Sequence, residues 1–109
     1  MDFYSLNPLG MLFILYCLHC LGDFALQNDY IAINKSKEKF AQWYIVLSAH
    51  CAIHALLVWV VTGNIAAALL MYVSHFIIDY SKNNKRISFK TDQILHIMVL
   101  VAIVIGLNT

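Results

Sequence analysis

The stretch AQWYIVLSAHCAIHALLVWVVT, residues 41–62, decides the fold, because it is an apolar run of about the 20 residues that a helix needs to cross a membrane. It contains no charged residue, yet it carries His50 and His54. Four residues are about one helical turn, so the two imidazoles point to one side of the helix. The stretch therefore predicts a membrane helix with a polar, metal-competent pair on one face.

The composition of the rest of the chain extends this prediction. Of 109 residues, 61% are hydrophobic and 12% are charged, whereas about a quarter of the residues in soluble proteins are charged. Three further apolar segments lie at about residues 7–27, 65–80 and 91–107. We therefore predict one all-α domain over residues 1–109, a polytopic membrane protein built as a four-transmembrane-helix bundle.

The basic residues predict the orientation of this bundle. They all lie in the two polar segments between helices one and two and between helices three and four: Lys35, Lys37, Lys39, Lys82, Lys85, Arg86 and Lys90. The positive-inside rule places both segments in the cytoplasm and both termini outside. We interpret the lysines as loop charges that set orientation and contact anionic lipid, with binding of a substrate phosphate by Lys35 or Lys82 as the alternative.

The histidines show a repeated spacing. Each of the five has a histidine or an aspartate four residues away, in the pairs His19/Asp23, His50/His54, His75/Asp79 and Asp92/His96. The sequence order is His then Asp on helices one and three, and Asp then His on helix four, which crosses the membrane in the opposite direction. On all three helices the carboxylate therefore lies nearer the cytoplasm and the imidazole one turn deeper. This pattern predicts that the pairs converge in one layer.

Imidazole and carboxylate in this number favour a divalent metal. A carboxylate in hydrocarbon costs at least about 2.5–3.5 kcal/mol and needs a partner. We expect one or two ions, with zinc favoured. The expected ligands are His19, His50, His54, His75, His96, Asp23 and Asp79. Asp23, Asp79 and Asp92 are the candidate catalytic carboxylates, and Gln27 and Gln93 are candidates for orienting the ligands.

Simpler interpretations exist for parts of this pattern. Hydrogen bonds between Asp and His alone can hold a transmembrane bundle together, and this is the favoured explanation for any single pair. Helix capping by Thr91 or Asp92 is an alternative role at the start of the fourth helix. The cysteines, Cys17, Cys20 and Cys51, are interpreted as small packing residues and not as ligands.

Five short motifs follow one another along the chain: HCLGDFALQ at 19–27, Asn34-Lys35, HCAIH at 50–54, HFIIDYSK at 75–82 and DQILH at 92–96. In this order they resemble an uncharacterised family of small bacterial and phage membrane proteins, catalogued as domain of unknown function 3307. The resemblance implies a shared polar set: Asp23, Gln27, His50, His54, His75, Asp79, Asp92, Gln93 and His96. It also implies a protein of the bacterial inner membrane or one encoded by a phage. More loosely, the pattern resembles membrane-bound metal-dependent hydrolases.

We therefore expect an integral membrane metal-binding protein whose site opens toward the cytoplasm, acting as a hydrolase on a lipid-linked or membrane-proximal substrate. Two alternatives are proton or metal-ion transport, and a non-catalytic membrane effector with structural His/Asp pairs. Expected partners are membrane lipid, another membrane protein, or a second copy that buries a lipid-facing stretch at residues 66–68. A net charge of +1 without a basic face argues against nucleic-acid binding.

Overall fold

The computed structural model describes residues 7–109, which form helices joined by short connections and contain no strand. Residues 1–6 of the predicted domain lie outside the described residues. Helix α1, Pro8–Cys20, continues into a single π turn, Leu21–Ala25. The remaining helices are α2 (Asp29–Asn34), α3 (Trp43–Thr62), α4 (Ile65–Asn83) and α5 (Phe89–Leu107). Each predicted apolar segment thus contains one long helix, and α2 is an additional short one.

Short polar side chains begin four of these helices. In each case the capping oxygen accepts from the backbone N–H three residues later, and the capping residues are Asn7, Asn28, Asn64 and Ser88. Because Ser88 caps α5, the expectation that Thr91 or Asp92 does so is wrong. Asp92 lies in the first turn of α5 and is buried, so its carboxylate is free for another role.

A glycine turn connects α3 to α4. Gly63 ends α3 with a φ of 64°, a left-handed conformation that glycine adopts without steric cost. Asn64 then caps α4, so the two helices form a tight hairpin.

Within residues 7–109, three helical segments are long and apolar enough to cross a membrane. They are Pro8–Ala25, Trp43–Thr62 and Phe89–Leu107, with mean hydropathies of 1.5, 2.0 and 1.7. Helix α4 falls outside this group because its last turns, residues 74–83, are rich in polar side chains. Large apolar side chains such as Leu9, Phe13 and Met98 cover the outer surface. An apolar exterior and a polar buried layer are what a membrane solvent favours, and they indicate membrane association.

The four long helices form a closed ring in which α1 and α4 each pack against both α3 and α5. The end of the ring beside the α3–α4 turn is filled by an apolar cluster: Met11, Leu15, Val58, Val61, Ala67, Met71, Leu100, Ile103 and Val104. Ala67 and Ala68 are buried, so the expectation that residues 66–68 face lipid holds only for Ala66. Helix α4 turns its small residues inward because close packing in the ring needs them there.

Candidate metal centre

The opposite end of the ring holds all five histidines and three aspartates, which we call the His/Asp cluster: His19, Asp23, His50, His54, His75, Asp79, Asp92 and His96. Each of these residues is at most 7% exposed. They form three overlapping groups, and within each group the potential ligand atoms lie within 4.8 Å of one another. The structure therefore brings together every residue that the sequence proposed as a metal ligand or catalytic carboxylate.

Asp23 occupies the middle of the cluster. Its Oδ1 lies 2.9 Å from His54 Nε2, 3.2 Å from His50 Nε2 and 3.4 Å from His75 Nε2. Its Oδ2 lies 3.4 Å from His19 Nε2. One carboxylate from the end of α1 thus contacts imidazoles on three different helices.

The backbone around Asp23 explains how it reaches this position. In the π turn the N–H of Leu26 donates to the carbonyl of Leu21 at 2.8 Å, five residues back. Such turns are frequent at functional sites. The neighbouring Gly22 packs against His54, and a Cβ at this position would lie 2.7 Å from His54 Cε1. Only a glycine lets α1 approach the imidazole of α3 this closely.

Gln93 joins the cluster to α5. Its Nε2 donates to Asp23 Oδ2 and to Asp92 Oδ2, both at 3.0 Å, and its Oε1 lies 3.1 Å from His19 Nε2. This amide therefore orients two carboxylates and one imidazole. Gln27 is different, because its Nε2 donates to the backbone carbonyl of Asp23 at 3.0 Å and secures the end of the π turn.

Asp79 pairs with a lysine that the sequence interpretation assigned to a loop. Lys35 Nζ donates to Asp79 Oδ2 at 2.8 Å, and Lys35 is only 3% exposed. Its backbone carbonyl accepts from Asn83 Nδ2 at 3.1 Å, which ties the segment after α2 to the end of α4. Lys35 is therefore a buried partner of the cluster. The interpretation missed it because it grouped Lys35 with the exposed Lys37, although the Asn34-Lys35 motif was a usable signal.

The other contacts of Asp79 are to histidines. His50 Nε2 lies 3.4 Å from Oδ2, and His96 Nε2 lies 3.5 Å from Oδ1. Cys51 Sγ approaches His75 Nδ1 at 4.0 Å, so this buried thiol borders the cluster. Cys51 belongs to none of the three groups of potential ligands.

Several polar atoms of the cluster lack a hydrogen bond to any described residue. They are His19 Nδ1, His50 Nδ1, His75 Nε2, His96 Nε2 and Asp92 Oδ1. The imidazoles also stack closely, with ring centroids 3.8 Å apart for His54 and His75 and 4.1 Å apart for His75 and His96. His75 Nε2 and His96 Nε2 each lie within 3.5 Å of a carboxylate oxygen without forming a hydrogen bond. A buried polar atom without a hydrogen bond is costly, so these atoms would suit a ligand that accepts electron pairs.

The charges of the cluster also favour binding of a cation. With neutral imidazoles, three carboxylates and the Lys35 ammonium leave a net charge of −2 in a buried layer. Uncompensated buried charge is strongly unfavourable, and either protonated histidines or a divalent cation would compensate it.

Comparison with known proteins gives a family and no activity. A family model described as protein of unknown function (DUF3307) matches residues 11–109, which include the whole His/Asp cluster. No curated protein and no solved structure matches the chain. The function therefore has to be argued from the site.

Proposed function

The chain belongs to the DUF3307 family, and we propose that it is an integral membrane metalloprotein whose His/Asp cluster binds divalent metal, with zinc favoured, to hydrolyse a lipid-linked or membrane-proximal substrate. The observation that carries this proposal is the convergence of eight nitrogen and oxygen ligands, five of which have a buried atom without a hydrogen bond. One zinc ion needs about four ligands, so the cluster has enough for two.

The overlap of the groups suggests how two ions share the cluster. His19, Asp23, His54 and His75 form a complete four-ligand set. A second set, Asp23, Asp92 and His96, offers three ligands, which is the number typical of a catalytic zinc with an open position. Asp23 belongs to both sets and would bridge the ions, as carboxylates do in two-metal hydrolases.

Asp79 lies outside these two sets, in the third group with His50 and His75, and is the candidate general base in place of the ligand role expected from the sequence. Its Oδ1 is 3.5 Å from His96 Nε2, so the carboxylate borders the three-ligand set. A bound metal would supply Lewis-acid polarisation of the scissile group and of the attacking water. Asp79 accepts a proton from that water as the hydroxyl adds to the electrophilic atom, and the proton passes to the leaving group as its bond breaks.

We further propose that α4 is the fourth span. Its 19 residues are about 28 Å long, close to the thickness of the hydrocarbon core. Ile65, Leu69, Val73 and Ile77 are exposed on its outer face, where lipid would cover them. The basic residues lie at the end of the ring that holds the cluster, so the positive-inside rule places this end in the cytoplasm.

The distribution of buried polar groups favours hydrolysis over transport. Within residues 7–109, every buried polar or charged side chain is either Lys35 or a member of the His/Asp cluster. The other end of the ring is filled by the apolar cluster. A proton or ion path would need polar groups at that end as well.

A matched pair of substitutions tests the hydrolase proposal. We expect zinc-loaded Asp79→Asn to keep its metal and to lose at least about 100-fold in hydrolysis, the scale of general-base catalysis. Asp29→Asn, which changes an exposed aspartate in α2, should keep both. The assay follows hydrolysis of a chromogenic phosphate ester and of lipid-linked phosphates, with metal content measured on the same samples. Equal activity in the Asp79 variant and the wild type would overturn the assignment of the base.

A further inference from the structure

Lys35 differs from the other lysines near it in sequence. Lys37 and Lys39 are exposed, whereas Lys35 is 3% exposed. Two contacts with α4 hold it, one from its Nζ to Asp79 and one from Asn83 to its backbone carbonyl. The Lys35 ammonium therefore lies at the edge of the His/Asp cluster.

The Lys35 ammonium has N–H donors that make no hydrogen bond to the described residues. A lysine offers three N–H donors, and Lys35 Nζ makes one hydrogen bond to the described residues, the bond to Asp79 Oδ2. Neutralising one carboxylate uses a single donor. The remaining donors are suited to the oxygens of an anionic ligand.

Charge balance indicates which anion this is. The cluster and Lys35 together carry −2 when the imidazoles are neutral, and two divalent ions would change this to +2. A phosphate monoester carries about −1.5 to −2 at neutral pH, so it would compensate that charge. An uncharged ester or amide would leave the positive charge buried and unpaired.

The side chains near Lys35 in sequence are of the types found at the level of the lipid headgroups. Exposed apolar and aromatic side chains precede Lys35 in the π turn, in α2 and between them: Phe24, Leu26, Tyr30 and Ile33. Basic residues follow it in sequence. Apolar and aromatic side chains next to lysines are typical of a segment at the level of the lipid headgroups.

We propose that Lys35 binds the phosphate group of the substrate, and that the substrates of this centre are phosphate monoesters, either lipid headgroups or soluble esters. This inference rests on the proposed metal centre, because the two ions supply the excess positive charge.

Phosphate titration of detergent-purified, zinc-loaded protein tests the proposal. The proteins are wild type, Lys35→Met, Lys35→Arg and the exposed control Lys37→Met, each checked for folding by circular dichroism and for metal by elemental mass spectrometry. We expect Lys35→Met to bind inorganic phosphate about 10- to 100-fold more weakly in calorimetry, the scale of a lost charge-assisted hydrogen bond. Lys35→Arg should stay within a few-fold of wild type, and Lys37→Met should equal it.

The outcomes separate this inference from the proposed function. A Lys35→Met protein that holds metal and binds phosphate like the wild type overturns the role of Lys35, and so does a metal-loaded wild type that binds no phosphate. A wild type without metal overturns the proposed function and this inference with it.

A second measurement covers the case in which Lys35→Met does not fold. In wild-type protein labelled with 15N at the lysine side chains, we expect phosphate to shift the ammonium signal of Lys35 and to leave that of Lys37 in place. An unshifted Lys35 signal at saturating phosphate overturns the proposal.

Lipid nanodiscs identify the source of the phosphate. Discs of phosphatidylcholine with and without phosphatidic acid are titrated with inorganic phosphate. Weaker apparent binding in the discs with phosphatidic acid supports a lipid headgroup as the ligand, because the lipid competes for Lys35. Equal binding in both kinds of disc supports a soluble phosphate ester.

Discussion

At the scale of single residues, the site depends on side chains that orient the ligands as well as on the ligands themselves. Gln93 is the clearest case, because one amide contacts Asp23, Asp92 and His19. Its two donors and its acceptor match two carboxylates and one imidazole. Such partners fix the positions of ligands before a metal arrives, which raises affinity.

Replacing Gln93 by leucine should therefore weaken metal binding without removing a ligand. We expect zinc affinity to fall about 10- to 100-fold, with unchanged stoichiometry at saturation. Competition with a chromogenic chelator measures this, and Gln42→Leu, an exposed glutamine before α3, is the control. A Gln93→Leu protein with wild-type affinity would show that the amide only fills space.

At the scale of elements, the π turn at the end of α1 positions the central carboxylate. Asp23 lies within it, and Gly22 beside it leaves room for the imidazole of His54. Most of α1 runs as a regular helix along the apolar end of the ring. The change from α-helix to π turn is therefore confined to the residues directly after α1, which form part of the site.

A pair of glycine substitutions tests this role. Gly22→Ala places a methyl group 2.7 Å from His54 Cε1, so the imidazole must move, and we expect weaker zinc binding and a lower melting temperature. Gly106→Ala has no atom within 4 Å of its new methyl group and should leave zinc binding unchanged, with stability raised by up to about 1 kcal/mol. Both are read by zinc titration and thermal unfolding in detergent. Equal zinc affinity in the two variants would contradict the role of Gly22.

The elements also show how far the sequence alone was sufficient. The apolar run at residues 41–62 contains α3. The four-residue spacing identified the residues that meet in the cluster. The π turn and α2 were not predicted, because a five-residue turn has no periodicity of its own and α2 spans six residues in a polar connection. The contact between Lys35 and Asp79 was missed because Lys35 was grouped with the exposed lysines that follow it.

At the scale of the whole molecule, the chain places polar groups inside one end of the ring and apolar groups on its outer surface. The longest dimension is 43 Å, close to the thickness of a bilayer with its headgroups. With the basic residues at the polar end, the proposed orientation puts the buried site at the cytoplasmic end of the ring.

Labelling from either side of the membrane tests this orientation. In a background with the cysteines changed to alanine, we expect Lys37→Cys to react with an impermeant maleimide in inside-out bacterial vesicles. Asn108→Cys, at the exposed end of α5, should react in right-side-out vesicles instead. Labelling of both cysteines from one side would exclude the proposed odd number of spans between them, and the reverse result would exclude the proposed direction.

The central claim is that the His/Asp cluster binds metal, and elemental mass spectrometry tests it most directly. The samples are detergent-purified wild type, a His50→Ala/His54→Ala double variant and Cys51→Ala as a control from the same turn of α3, all with folding verified. We expect one or two equivalents of a divalent metal in the wild type and in the cysteine control, with at least one equivalent lost from the double variant. Absence of metal from folded wild type purified with zinc supplied, or equal metal content in the double variant, would contradict the account.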